Sequence, residues 1–178
     1  MVKLMVKVAV LIANGTEEIE ALTPVDVLRR AGVECDLVSV SGDYPIGSHG
    51  ITVKADKTVE RVDFNEYSAI VIPGGMPGAT NIEKNEKAME AIKIAMAANK
   101  IVAAICASPA VVLANNRLID GKIATCYPAE AFIKMMNHAR YTGADVEVDG
   151  NIITANGPKS AMKFALAICE KLGVNPKF

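Results

Sequence analysis

The sequence lacks tryptophan, and only 4% of its 178 residues are aromatic. Few rings leave little surface on which nucleic-acid bases could stack. Neither sign of charge is in excess, because 19 lysines and arginines stand against 20 aspartates and glutamates, for a net charge of −1. Nucleic-acid binding normally depends on a concentrated basic surface. The composition therefore predicts no nucleic-acid partner.

The chain also lacks an apolar run of the roughly 20 residues that cross a bilayer. Its first 13 residues, lysines followed by an apolar stretch, are similar to a signal peptide. No small-residue cleavage site follows them, however, and the turn-like Asn14-Gly15 comes next. This context favours a buried strand over Val6–Ala13. We therefore expect no membrane partner.

Cysteine and histidine are scarce. The four cysteines are widely spaced and form no Cys-x-x-Cys pair: Cys35, Cys106, Cys126 and Cys169. Neither histidine, His49 or His138, stands at a metal-ligand spacing from them. A disulfide framework and a metal site are therefore not expected, and a reducing cytoplasm is the simplest location. We assign no role to either histidine.

The chain is rich in apolar residues, which make up 51% of it against 22% charged. Length and composition predict one folded domain over residues 1–178. Apolar runs alternate with helical periodicity, as in a doubly wound α/β domain with a mostly parallel sheet and helices on both faces. Strands are predicted at Val6–Ala13, Glu34–Ser41, Ala69–Ile72, Ile101–Ile105, Lys122–Thr125 and Ile152–Ala155, the last in a hairpin turning at Asp149-Gly150. Helices are predicted at Glu17–Ala31 (capped by Thr16), Glu83–Asn99, Pro109–Asn115, Ala129–Asn137 and Pro158–Leu172.

Cys106 is the strongest candidate for a reactive residue. It follows a buried strand directly, precedes a helix and has small neighbours on both sides. This is the arrangement of a nucleophile elbow, in which small flanking residues allow a strained turn. The N-terminus of the following helix would favour the thiolate. The alternative is an ordinary buried core cysteine.

Three acids open the first helix in the run Glu17-Glu18-Ile19-Glu20. Carboxylates in a first turn complement the helix dipole, and solvated charges would explain two of them. One acid facing the strand ends could reach Cys106, where burial and charge would make it a proton donor. Spacing alone does not decide which acid this is.

Two further loops follow predicted strands. The Pro73-Gly74-Gly75 turn could bring backbone N–H groups to a developing oxyanion, although a tight turn explains the glycines equally well. Cys126 and Tyr127 follow the fifth strand. Cys126 could resolve an oxidised Cys106 or merely pack beside it.

These segments together resemble the ThiJ/PfpI superfamily, and most closely its parkinsonism-associated deglycase branch with the bacterial ThiJ/YajL relatives. The pieces that carry the resemblance are Glu17 to Glu20, Pro24 to Gly32, Pro73-Gly74-Gly75, Ala103 to Ala107, Gly157-Pro158 and Phe164 to Ile168. The resemblance implies a flavodoxin-like fold and a homodimer. By position it implies that Cys106 is the nucleophile, that Glu20 is the acid beside its sulfur, and that Gly75 and Ala107, with Gly74, form the oxyanion and substrate-binding loop. Tyr127 and Cys126 would lie next to these site residues.

The resemblance also implies the activity. It is that of a cofactor-free glyoxalase or protein deglycase, acting on methylglyoxal, glyoxal or their early adducts and giving 2-hydroxy acids. Peptidase activity is not expected, because residue 107 is alanine where the protease-like branches carry histidine. The alternative is an oxidative-stress response protein, a redox sensor or chaperone, that works through oxidation of Cys106 to the sulfinic acid.

Overall fold

Seven strands form the central sheet of the protein, which a computed structural model describes over residues 6–178. In chain order, the strands of this sheet and of a separate two-stranded sheet are β1 (Lys7–Ile12), β2 (Glu34–Ser39), β3 (Lys57–Thr58), β4 (Ala69–Ile72), β5 (Ile101–Ile105), β6 (Ile123–Ala124), β7 (Arg140–Tyr141), β8 (Val146–Asp149) and β9 (Ile152–Ala155). The central order is β3-β2-β1-β4-β5-β9-β8, and every pair is parallel except β8 with β9. The predicted α/β, mostly parallel, flavodoxin-like class is confirmed. The single domain over 1–178 stays a prediction, and its first five residues lie outside the described part.

The central strands are apolar on both faces because helices cover both. On β1, Val8, Val10 and Ile12 pack on one side of the sheet, whereas Ala9 and Leu11 pack on the other. Successive side chains of a strand point to opposite faces, so a strand buried on both faces reads as a continuous apolar run. Each fully buried aliphatic side chain stabilises the fold by about 1.5–3 kcal/mol.

The five α-helices divide between the two faces. They are α1 (Glu18–Arg30), α2 (Gly78–Lys84), α3 (Glu86–Ala97), α4 (Glu130–Met135) and α5 (Ala161–Leu172). Helices α1 and α5 pack together on the face of Val8 and Val10, and α2 and α3 cover the opposite face. Within residues 6–178, no helix has the length and apolar character needed to cross a membrane.

Several predicted helix boundaries were wrong. Glu17, not Thr16, caps α1, because its carboxylate accepts from the Ile19 N–H while the Thr16 hydroxyl accepts from the Ala13 N–H at 2.9 Å. The helix expected over Glu83–Asn99 is broken at Asn85, whose side chain accepts from the Ala88 N–H and so starts α3. Local hydrogen bonds of short polar side chains decide such boundaries, and periodicity does not show them.

Two predicted elements take a different form. The strand expected over Lys122–Thr125 is only β6, which pairs with β7 in a separate two-stranded sheet. The place beside β5 in the central sheet is taken by β9. The helix expected over Pro109–Asn115 is a π-helical turn over Pro109–Leu113 followed by a 3₁₀ turn over Ala114–Asn116.

Candidate functional site

Three loops meet beyond the carboxyl ends of β1, β4 and β5. The Glu17 N–H donates to the Gly74 carbonyl at 3.1 Å, which ties the start of α1 to the loop after β4. The Ser108 hydroxyl donates to the Pro73 carbonyl and ties the loop after β5 to the same point. β1 lies between β2 and β4, so the order of strands reverses at this point, which is where open α/β sheets place their binding sites.

Cys106 lies on the strand-to-helix turn, with a φ of 66°. This left-handed conformation costs a non-glycine residue about 1–3 kcal/mol, so the surroundings must hold it in place. They do so through both backbone groups: the Cys106 N–H donates to the Ala155 carbonyl at 2.9 Å, and the Cys106 carbonyl accepts from the Tyr127 N–H at 2.8 Å. The thiol is partly exposed. The elbow therefore presents its sulfur at the strand ends.

Backbone N–H groups surround the sulfur from two loops. Those of Gly75 and Ala107 face the Cys106 sulfur and lower the pKa of the thiol. The N–H groups of Ala110 and Val111 donate to the Ala107 carbonyl, at 3.2 and 2.8 Å, so the first bonds of the following helical turn are accepted by Ala107 and the Ala107 N–H lies at the start of that turn. The anion-stabilising groups at this elbow are thus backbone amides of the Gly75 loop and of the start of this turn.

Glu20 is the acid that faces Cys106, and its side chain is completely buried. The Gly74 N–H donates to Glu20 Oε1 at 3.0 Å, while Oε2 has no hydrogen-bond partner within residues 6–178. Residue 74 must be glycine, because a Cβ there would lie 2.6 Å from the Cys106 Cβ and 2.8 Å from Glu20 Oε1. Burial, and then the charge of Glu17, raise the pKa of Glu20 to about 7.

Of Cys106 and Glu20, only one readily carries a negative charge at a time. Burial and the neighbouring Glu20 carboxylate raise the pKa of the Cys106 thiol to about 12, against the lowering effect of the Gly75 and Ala107 N–H groups. Two anions side by side in a buried site are strongly disfavoured. A thiolate at Cys106 is therefore accompanied by a protonated Glu20, and the raised pKa of Glu20 suits it to take and return a proton near neutral pH.

The other two acids are buried, which corrects the expectation of solvated charges. Glu17 and Glu18 are only 8% and 5% exposed. Glu17 Oε1 accepts from the Ile19 N–H at 3.2 Å, and Glu18 binds the loop around His49. Gly47 is part of this arrangement, because a Cβ there would overlap the Glu18 carboxylate.

The remaining predicted residues lie around this centre. Cys126 is fully buried in the core, its thiol donates to the Tyr127 carbonyl, and burial raises its pKa to about 11. Tyr127 is 44% exposed. Its ring covers Gly157, where a Cβ would lie 3.3 Å from the ring, and it lines an open cavity of about 460 Å³ with Asn156 and Lys159.

The histidines and the other cysteines lie elsewhere. Cys35 and Cys169 are buried in the core, and burial raises the pKa of both thiols. His138 is exposed, and its carbonyl accepts from the Gly121 N–H. His49 contacts Glu17 and Glu18, an arrangement that the sequence analysis missed.

The elbow, the buried glutamate and the glycine loop lie within the part of the chain that matches a known sequence pattern. The pattern of the DJ-1/PfpI family matches residues 6–171, which is nearly the whole chain. The chain belongs to the DJ-1/PfpI family.

Relatives within the family have different lengths. The chain is 36% identical to the Parkinson disease protein 7 homolog of Danio rerio over 92% of its own length and 87% of that protein. It is 31% identical to deglycase PH1704 of Pyrococcus horikoshii over 85% of its length and 90% of that protein. It spans only 37% of the length of protein DJ-1 homolog B of Arabidopsis thaliana, to which it is 37% identical over 93% of its own length.

A solved structure shows the same fold. Oxidized DJ-1 of Toxoplasma gondii superposes with a TM-score of 0.87 and 42% identity, over 94% of this chain and 90% of that one. The family resemblance expected from the sequence, including the link to DJ-1 and deglycase relatives, is confirmed.

Proposed function

We propose that this DJ-1/PfpI protein is a cofactor-free glyoxalase or protein deglycase, with Cys106 as nucleophile and Glu20 as acid and base. Its substrates would be methylglyoxal, glyoxal or their early adducts on amines and thiols. The observation that carries the proposal is the buried Glu20 carboxyl, with one unused oxygen and a pKa of about 7, beside a cysteine on a strained elbow. The relative named as a deglycase supports the same chemistry.

The first step forms a carbon–sulfur bond. Glu20 takes the thiol proton as Cys106 Sγ attacks the aldehyde carbon, and the carbonyl electron pair moves to oxygen. The N–H groups of Gly75 and Ala107 stabilise this oxyanion, and one such donor is typically worth about 3 kcal/mol. Return of the proton from Glu20 to the oxygen gives a neutral hemithioacetal and an ionised Glu20.

The second step moves a proton between the two carbons of the substrate. Ionised Glu20 removes the proton from the sulfur-bearing carbon, and the electrons shift through an enediol onto the neighbouring carbonyl oxygen. Glu20 then protonates the second carbon, and the hydroxyl proton of the first carbon passes to the oxygen of the second, which leaves a thioester of a 2-hydroxy acid. Water hydrolyses the thioester and regenerates the thiol. Methylglyoxal and water thus become lactate without an external oxidant or reductant.

The test is methylglyoxal consumption and lactate formation without glutathione. We expect turnover in the wild type and none above background in Cys106→Ala. Cys169→Ala is the matched control, since that thiol is buried in the core away from the elbow, and it should keep wild-type turnover. An inactive wild type, or a Cys106→Ala variant as active as the wild type, contradicts the proposal.

A second candidate is favoured by one specific observation. The unused oxygen of Glu20, protonated near neutral pH, is placed to donate a hydrogen bond to an oxidised Cys106 sulfur. Oxidation by a peroxide to the sulfinic acid adds two oxygens, and the structure of oxidized DJ-1 from T. gondii shows that a relative has been obtained in an oxidised form. Under this proposal the protein responds to oxidative stress through Cys106.

Intact-mass measurement after mild peroxide treatment tests whether Cys106 is oxidised selectively. A sulfinic acid adds two oxygens of about 16 Da each, so we expect a gain of about 32 Da at Cys106. Glu20→Leu, which cannot donate the hydrogen bond, should lose the selective step. If Cys106 gains no more oxygen than the buried cysteines, the sensor proposal fails. The homodimer, the cytoplasmic location and the role of Cys126 remain predictions.

A further inference from the structure

A second group of titratable side chains lies next to the site, at the start of α1. Glu17, Glu18 and His49 each offer an oxygen or nitrogen atom, and these atoms all lie within 4.8 Å of one another. His49 Nδ1 is 3.1 Å from Glu18 Oε1 and 3.7 Å from Glu17 Oε1. Bonds of about 2.1 Å from one zinc ion would place its tetrahedral ligands about 3.4 Å apart, which is close to these two separations.

The loop that carries His49 is held in place by Glu18. The carboxylate accepts from the N–H groups of His49, at 3.0 Å, and Ile51, at 3.2 Å. The Ser48 N–H donates to the Thr16 carbonyl at 2.8 Å, which fixes the loop to the residue before the α1 cap. The imidazole is therefore positioned beside α1 by backbone contacts rather than by its own packing.

Glu17 supplies an independent sign of a missing partner. Its side chain is 10% exposed, and Oε2 is buried without a hydrogen-bond partner anywhere in residues 6–178. A buried carboxylate oxygen left unpaired is costly, and in most proteins a donor or a metal ion satisfies it. The same side chain contacts His49, so the unsatisfied oxygen belongs to a carboxylate that faces the cluster.

The negative charge of the two carboxylates in the cluster also favours the binding of a cation. Within the described part of the chain, the ion-pair partner of both carboxylates is His49, and neither pairs with a lysine or arginine. The imidazole is 69% exposed, so Nε2 can keep its proton towards water while Nδ1 acts as a ligand. One imidazole nitrogen and two carboxylates form a donor set that suits Zn²⁺, with water completing the coordination.

We propose that Glu17, Glu18 and His49 form a binding site for a divalent metal ion of the zinc type, separate from the Cys106 elbow. Binding replaces the hydrogen bond between His49 Nδ1 and Glu18 Oε1 with two bonds to the metal. If Nδ1 carries the proton in the free protein, that proton moves to Nε2 or to solvent. The sequence predicted no metal site because His49 lies 31 residues from Glu18, and only the loop contact brings them together.

The test is titration of the full chain with zinc chloride after chelator treatment, in a Cys106→Ala background that removes the reactive thiol as a competing ligand. We expect one zinc ion per chain. His49→Ala and Glu17→Gln should each weaken binding at least about tenfold, since loss even of a supporting group commonly costs 10–100-fold in metal affinity. His138→Ala, which removes the only other histidine, should bind as tightly as its parent.

Histidine nitrogen NMR gives a readout that a folding defect cannot imitate. On adding zinc, the His49 ring resonances should shift or broaden while those of His138 stay in place. Equal affinities in His49→Ala and its parent would overturn the proposal. So would zinc binding that is present in the wild type and absent in Cys106→Ala, because the ion would then sit on the thiol.

Discussion

Glu18 and Glu20 stand two residues apart on α1 and are both buried, yet their pKa values move in opposite directions. Burial acts on both in the same sense, towards the neutral acid. The pKa of Glu18 is nevertheless lowered, because its own N–H, the His49 ring and the N–H groups of Ile51 and His49 contact its carboxylate. Glu20 has only the Cys106 thiol and the Gly74 N–H to oppose burial and the charge of Glu17, so its pKa rises to about 7.

The difference separates a structural acid from a reactive one. Hydrogen bonds to the charged form make a buried carboxylate a permanent anion that organises the loop around it. A buried carboxyl with an unused oxygen stays near the balance between its two forms, which is the condition for proton transfer at neutral pH. The number of hydrogen-bond donors around each carboxyl, together with the deeper burial of Glu20, decides between the two roles.

The largest expected effect concerns turnover. Glu20→Gln keeps the size of the side chain and the acceptor for the Gly74 N–H but cannot carry a proton between carbons. General acid–base groups contribute about 10²–10⁴-fold, so methylglyoxal turnover should fall at least about 100-fold. The measurement is lactate formation, with Glu170→Gln on the exposed side of α5 as the control for the chemical change. A Glu20→Gln variant with full turnover would remove Glu20 from the mechanism.

Much of this contrast could be expected from the sequence, but not all of it. Apolar runs predict β1, β4 and β5, and small residues around Cys106 predict the elbow, because both signals are local. The choice of Glu20 among three acids is not local: it depends on where α1 packs against the Gly74 loop, and only the family resemblance indicated it.

The remaining differences arise from contacts between distant segments. The strand expected over Lys122–Thr125 leaves the central sheet because β9 pairs with β5 in its place. His49 reaches Glu18 from a loop without periodicity. A sequence pattern indicates which residues form a strand or a helix. It does not show which of several compatible segments pairs with a given sheet edge or side chain.

The next prediction concerns the contribution of the Glu18 carboxylate to stability. In Glu18→Gln, an amide N–H₂ would face the N–H groups of His49 and Ile51, and leaving buried donors unpaired costs about 1–3 kcal/mol each. We expect a loss of about 3 kcal/mol in the free energy of unfolding, measured by urea denaturation at pH 7 with a chelator present. The lowered pKa of Glu18 means that its stabilisation is present above the ordinary value of 4.5 and disappears as the pH falls. The deficit of the variant should therefore shrink in acid; a deficit that is constant with pH would mean that the carboxylate charge contributes nothing.

The last effect has the opposite sign and is the sharpest test of the comparison. Because the pKa of Glu20 is raised from 4.5 to about 7, the folded protein binds more protons than the unfolded chain between these values, and its stability falls as the pH rises through them. Glutamine does not titrate, so Glu20→Gln should be more stable than the wild type at pH 8, by about 3 kcal/mol, and nearly equal to it at pH 4. Thermal unfolding at both pH values measures this, and for a chain of this length the gain at pH 8 corresponds to several degrees in Tm. A variant that is less stable than the wild type at pH 8 would show that the Glu20 carboxylate is held by its surroundings, as Glu18 is, and the distinction between the two acids would be lost.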